Sequence, residues 1–288
     1  MRRVSSVPDD RLRPVEHYEN FPVASWLCPP RLRRPVAAIY WFARTADDLA
    51  DEGEAPAERR LADLQAYRND LQACYAGGPL SDRWPAVFPA LRRAIVDFGL
   101  PRELLARLLD AFEQDVRKTA AGAGYADRAE LLAYCSRSAD PVGRLLLHLH
   151  GVGEPAALAQ SDAICSALQL INFWQDLSVD LPRGRYYLPA EDCRALGIDP
   201  TAPQGWAKHP QGPALVERLC AWARELMLSG APLVHRVPGR AGWELRLVVQ
   251  GGLRVLRHIE RMGFRSLGQR PRLGPLDGPP ILWQAARM

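Results

Sequence analysis

Helical periodicity runs through almost the whole chain, and this limits the fold more than any other feature of the sequence. Pro35 to about Asp51 carries Val36, Ile39, Tyr40 and Ala43 on one face, with Pro35 suited to a first helical turn. Pro56 to about Tyr75 repeats the pattern with Leu61, Leu64 and Leu71 and is stopped by Gly77-Gly78-Pro79. Helices are predicted over 85–98 and 101–119. Residues 128–150 read as one helix or a pair broken near Pro141. The longest apolar-periodic stretch runs from Pro155 to Asp180, and two more helices follow over 214–229 and 239–263. No alternating run of β-branched residues bounded by turns is present. The expected architecture is all-α, with residues 1–288 forming a single domain and irregular tails over 1–15 and 269–288.

Composition removes several function classes. Hydrophobic residues make up 48% of the chain, enough for a large core. The net charge of +4 comes from 37 basic and 33 acidic residues spread along the chain, which is no nucleic-acid footprint. Lys118 and Lys208 are the only lysines, so nearly all basic residues are arginines, which are suited to bidentate oxyanion binding. The longest nearly pure apolar run, Pro35 to Ala43, is far shorter than the roughly 20 residues of a membrane-crossing helix. The first residues carry no apolar segment behind Arg2 and Arg3, so no secretory signal is expected. Six scattered cysteines without a CxxC pair read as reduced thiols of a cytoplasmic protein.

Two carboxylate pairs hold the chemistry. Asp47 and Asp51 stand at i and i+4, and Asp176 and Asp180 share that spacing. On a helix both members of such a pair lie on one face, one turn apart, where they repel each other. Each pair ends an unusually apolar helix, and a helix C-terminus is the unfavourable end for an anion. A divalent cation offsets the repulsion, and hard oxygen donors suit Mg²⁺, which commonly bridges carboxylates to phosphate oxygens. The implied ligand is a diphosphate over an apolar cavity. Arg44 precedes Asp47 by one turn and Arg185 follows Asp180, and both are placed to pair with phosphate.

The chain resembles the squalene/phytoene synthase family. The matching residues are Ala38-Ile39-Tyr40-Trp41-Phe42-Ala43-Arg44-Thr45-Ala46-Asp47-Asp48-Leu49-Ala50-Asp51, the run from Gln169 through Asn172 and Asp176 to Asp180, and Gly184-Arg185-Tyr186-Tyr187-Leu188-Pro189. Tyr134-Cys135 followed by Pro141-Val142-Gly143 resembles the family's Tyr-Cys…Val-Gly helix. Glu19-Asn20-Phe21-Pro22-Val23-Ala24-Ser25 and Asn172-Phe173-Trp174-Gln175-Asp176 are similar to the hydroxysqualene synthase branch. That branch ionises presqualene diphosphate, rearranges the cyclopropylcarbinyl cation and traps it with water. The sequence departs from the phytoene- and presqualene-forming relatives where Ser138-Ala139-Asp140 replaces their usual Val-Ala-Gly. Gln175 and Val179 likewise stand where an Arg and a Glu are usual.

The resemblance implies an isoprenoid-synthase-type helical bundle with a central apolar cavity. It implies two or three Mg²⁺ ions held by Asp47, Asp51, Asp176 and Asp180 together with diphosphate, and no nicotinamide cofactor. Tyr134 and Tyr40 are then catalytic, and Asp140, which is absent from the relatives' usual pattern, is separately expected to admit or orient the quenching water. Arg44, Gln169, Asn172, Arg185, His17, Phe21 and Arg270 are the expected contacts to the substrate or its diphosphate. The expected partner is presqualene diphosphate, a C30 chain apolar enough to be loaded at a membrane surface and passed to pathway neighbours. Two other readings stand beside this one: a head-to-head synthase making presqualene diphosphate or phytoene, and a non-catalytic assembly factor. All four aspartates argue against the second.

Overall fold

The structure is a computed structural model that describes residues 27–288, and the expected contacts His17 and Phe21 lie outside the described residues. Eleven α-helices are present among them: α1 (Pro30–Asp51), α2 (Ala57–Ala76), α3 (Phe88–Phe98), α4 (Arg102–Ala121), α5 (Arg128–Ser138), α6 (Asp140–Leu149), α7 (Pro155–Asp180), α8 (Ala190–Ala195), α9 (Gly212–Gly230), α10 (Gly239–Arg261) and α11 (Gly278–Ala285). There is no strand among the described residues, and one β-bridge joins Tyr125 to Pro189. The all-α expectation holds.

Local chemistry sets most helix ends. Gly77, Gly99 and Gly122 close α2, α3 and α4 with left-handed backbone that a side chain would strain. Asp127 caps α5 by accepting from the Glu130 N–H at 2.8 Å, while the Glu130 carboxylate accepts from the Ala126 N–H at 2.6 Å. The break between α5 and α6 falls at Ala139, because Pro141, in the first turn of α6, has no N–H to continue the hydrogen-bond ladder of α5.

Two helix boundaries differ from expectation. α1 begins at Pro30 rather than Pro35, since Pro35 sits early enough in the helix to remove only one backbone hydrogen bond. The irregular tail expected over 269–288 instead contains a 3₁₀ turn, Pro275–Asp277, and α11, which packs on α10. Its prolines occupy the first turn of α11, where no N–H is required. Tertiary contacts hold the turn. The Asp277 carboxylate accepts from Arg254 at 2.6 Å, from His258 at 2.8 Å and from the Gly274 N–H at 2.7 Å.

The buried apolar residues form two clusters. One joins α1 to α4 with Leu145 and Leu149 of α6, around Phe42, Tyr67 and Phe88. The other surrounds α7 and is built with α5, α9 and α10. α7 and α9 approach closely at Gly230, where a side chain would meet the Gln160 carbonyl at 2.5 Å. α1 belongs to the first cluster and α7 to the second, and α4 and α6 connect them. The C-terminal halves of α1 and α7 are therefore placed beside the seam between clusters, with half-buried faces. None of the described helices is long and apolar enough to cross a membrane.

Candidate active site

Helical spacing puts Tyr40, Arg44, Asp47 and Asp51 on one side of α1, and all four are half-buried. On α7, Gln169, Asn172, Asp176 and Asp180 share a face and are half-buried too. Arginines hold the carboxylates. The Arg44 guanidinium lies 3.3 Å from Asp47 and 2.8 Å from Asp48. Arg185 pairs with Asp51 and lies 3.9 Å from Asp180, so one guanidinium spans both aspartate motifs. It reaches there because the chain turns at Gly184, whose φ of 74° suits glycine, and the Arg185 N–H returns to the Asp180 carbonyl at 3.1 Å.

Arg270 grips Asp176 from outside the motifs, Nε to Oδ1 at 2.5 Å and Nη2 to Oδ2 at 3.0 Å. This is the two-pronged pairing that guanidinium geometry favours. The next residue secures the same segment, as the Gln175 amide donates to the Pro271 carbonyl at 2.9 Å. Gln175 thus ties the strap after α10 onto α7.

Asp115 of α4 is the residue that motif reasoning missed. Its Oδ2 accepts from the Tyr134 hydroxyl at 2.6 Å. Loss of water raises its carboxyl to about 7, the Tyr134 hydrogen bond opposes this, and the charges of Asp47 and Asp180 raise it further. Asp115 therefore senses both aspartate motifs at once. Asp180 also rises to about 7, through burial first and then the neighbouring Asp176, with Arg183 and Arg270 opposing. Nothing in the local sequence marks Asp115. The nearby signal was Lys118, one of two lysines in the chain, whose ammonium lies 4.3 Å from the Tyr125 ring centre.

Aromatic rings line the floor next to Asp115. Tyr134 is buried, and its hydroxyl is pushed well above the usual phenol range by burial and then by Asp115. Its ring lies 5.7 Å from that of Tyr125 and 6.1 Å from that of Phe173, and Phe173 stacks on Tyr187 at 3.7 Å. A small cleft opens here between Asp115, Lys118, Tyr125, Arg185 and Tyr187. Tyr40 sits on α1 against Trp41, with ring centres 5.2 Å apart.

Asp140 lies elsewhere on α7's surroundings. It is buried, and its Oδ1 accepts from Ser166 at 2.8 Å. Ser166 is ten residues before Asp176, about 15 Å along the helix at 1.5 Å per residue, on the face that also carries Phe173 and Asp180. Burial raises Asp140 to about 7, Ser166 opposes this, Asp162 adds to it, and Arg144 and Arg107 oppose it.

The donor set suits a hard cation, since two helices offer carboxylate oxygens whose mutual repulsion is already visible at Asp115 and Asp180. Among the described residues no three acidic, His or Cys side chains converge into a complete metal site. An ion here needs further oxygens from a ligand, which is how Mg²⁺ joins carboxylates to phosphates.

Helices that oppose two aspartate pairs over a buried aromatic floor define an isoprenoid-synthase-type fold, and the comparisons agree. The model of the squalene/phytoene synthase family matches residues 15–277, and the chain belongs to that family. It is 31% identical over 267 residues to a presqualene diphosphate synthase of Rhodopseudomonas palustris, covering 93% of this chain and 92% of that protein. It is 34% identical over 264 residues to a hydroxysqualene synthase of the same organism, covering 90% and 85%. The crystal structure of squalene synthase HpnC from Alicyclobacillus acidocaldarius superposes with a TM-score of 0.76 at 35% identity, covering 86% of this chain and 90% of that one. The protein is an enzyme of a family that acts on prenyl diphosphates and generally uses a divalent metal with them.

Proposed function

We propose that this enzyme converts presqualene diphosphate and water into hydroxysqualene and diphosphate, with two or three Mg²⁺ ions. The reading is carried by the second aspartate motif. The positions before Asp176 and Asp180 are uncharged, Gln175 being spent on the Pro271 carbonyl and Val179 being aliphatic. Such a motif suits one diphosphate better than the two that a condensation of separate prenyl diphosphates must hold. Hydroxysqualene synthases are among the relatives matched over 90% of the chain, beside a presqualene diphosphate synthase matched over 93%.

Asp47, Asp51, Asp176 and Asp180 would hold the Mg²⁺ ions, whose charge would neutralise that of the leaving diphosphate. Arg44, Arg185 and Arg270 exchange carboxylate partners for diphosphate oxygens, with Gln169 and Asn172 as neutral donors beside them. The carbon–oxygen bond breaks, and its electron pair leaves with diphosphate. Aromatic faces then stabilise the carbocation as it rearranges, Tyr40 from α1 and Phe173 and Tyr187 from the floor, each by up to about 2 kcal/mol when desolvated. Tyr134, held by Asp115, places its hydroxyl at the seam between the motifs and contacts the departing group. Water, admitted or oriented by Asp140, attacks the rearranged cation and gives up its proton to the released diphosphate. The product is expected to leave toward a membrane or a pathway neighbour.

Purified protein with Mg²⁺ is incubated separately with presqualene diphosphate, farnesyl diphosphate and geranylgeranyl diphosphate. The expected result is hydroxysqualene from the first alone. Consumption of farnesyl or geranylgeranyl diphosphate on its own supports the head-to-head synthase reading, and no turnover of any of them supports the non-catalytic one.

A further inference from the structure

The segment after α10 carries an outer surface of unusual character. Helix positions 279, 282, 283 and 286 share one face of α11, and the exposed residues there are Pro279, Leu282, Trp283 and Ala286, with no polar side chain among them. Leu282 is 58% exposed and Trp283 65%, and Leu276 in the preceding turn is 88% exposed. A surface helix ordinarily turns its apolar stripe inward and its charges outward. α11 does bury Ala285 against its neighbours, yet its solvent face is apolar as well. The surface is also held in shape: the Asp277 contacts fix the turn that presents Leu276, and Arg257 pairs with Gln284 on the inner side of α11.

The segment that carries the patch is basic. Residues 261–288 contain five arginines and one acidic residue, Asp277, which is buried in its own contacts. Arg261, Arg265, Arg272 and Arg287 are exposed, and the Arg287 guanidinium lies 5.4 Å from the Trp283 ring centre. Exposed tryptophan and leucine in an arginine-rich segment, with Arg287 over the Trp283 ring, fit the boundary of an anionic bilayer, where the indole sits at headgroup depth and guanidiniums meet phosphates. A second copy of the chain would bring like charge against like.

We infer that α11 and the turn before it dock the protein onto the surface of an anionic phospholipid membrane. Leu276, Leu282 and Trp283 enter the acyl–headgroup boundary, and Arg287 with the other exposed arginines of this segment contacts lipid phosphates. Arg270 and Pro271 tie the start of this segment to Asp176 and Gln175, so the strap that leads to the docked face begins at the aspartate site. The membrane contact stands independently of which prenyl diphosphate is turned over.

The test is co-sedimentation of the full chain with vesicles of phosphatidylglycerol and phosphatidylethanolamine, against vesicles of phosphatidylcholine alone. Preferential pelleting with the anionic vesicles, weakened by high salt, is expected. The triple variant Leu276→Ser, Leu282→Ser, Trp283→Ser alters only exposed side chains, so its thermal melt should match wild type. Its vesicle binding should fall about tenfold or more. Absence of wild-type binding to anionic vesicles overturns the inference, as does equal binding by the triple variant. A wild-type dimer in sedimentation velocity that the triple variant loses, with no vesicle binding by either, assigns the face to a second copy and overturns it too.

Discussion

Replacing Asp140 by Asn removes a titration whose size and sign follow from its surroundings. Asp140 is 7% exposed, and burial lifts its carboxyl from an ordinary 3.8 to about 7. The folded state therefore binds a proton that the unfolded chain has released between those values. Stability must fall as pH rises through that window and level off above it, because the unfolded state then binds fewer protons than the folded one. Integrated from about pH 5.5 to about pH 8, this single group removes roughly 2 kcal/mol. Asn keeps the shape and cannot ionise. The assay is urea unfolding of metal-free protein across that range. The stability of Asp140→Asn relative to wild type should grow by about 2 kcal/mol on going to high pH. The wild-type slope will not vanish in the variant, since Asp115 and Asp180 are raised in the same direction. Parallel curves for the two proteins would refute the reasoning. The same variant addresses chemistry: an unchanged yield of alcohol from presqualene diphosphate would remove Asp140 from the water-delivering step.

Tyr134→Phe deletes the 2.6 Å hydrogen bond to Asp115 and should lower turnover about 100-fold while shifting stability by only about 1 kcal/mol, read by product formation and urea melts. Arg270→Ala releases Asp176 and weakens the strap, so KM for the diphosphate substrate should rise more than kcat falls, as steady-state kinetics would report. Gly230→Ala drives a methyl group against the Gln160 carbonyl and Ile164 where α9 meets α7. It should cost about 1–3 kcal/mol in chemical denaturation with no change in metal dependence. In a thermal-shift assay, Mg²⁺ with inorganic diphosphate should raise the wild-type Tm, and Asp47→Ala or Asp176→Ala should abolish the rise.

The helices were legible because their cause is local. A 3.6-residue period, glycines after the last turn and prolines in the first turn act within a few residues, so α2, α4 and α7 fall close to where the pattern puts them. The i, i+4 aspartates were legible for the same reason. α11 was not, because a short helix in a Pro- and Gly-rich stretch is held by Arg254, His258 and Arg257 from another helix. Asp115 was invisible for a related reason: its neighbours Glu113 and Gln114 are as polar as it is, and no spacing distinguishes the one that turns inward.

Taken alone, the sequence determined the all-α class, the two aspartate pairs and their place at the ends of apolar helices, since helix periodicity and capping are properties of neighbouring residues. The tertiary structure decided what those pairs face. It brought Arg185 across to Asp51, Arg270 to Asp176 from 94 residues away, and Asp115 between Tyr134 and both motifs. Electrostatic coupling depends on distance and burial, and both are set by how α1, α4 and α7 pack along the seam between two cores.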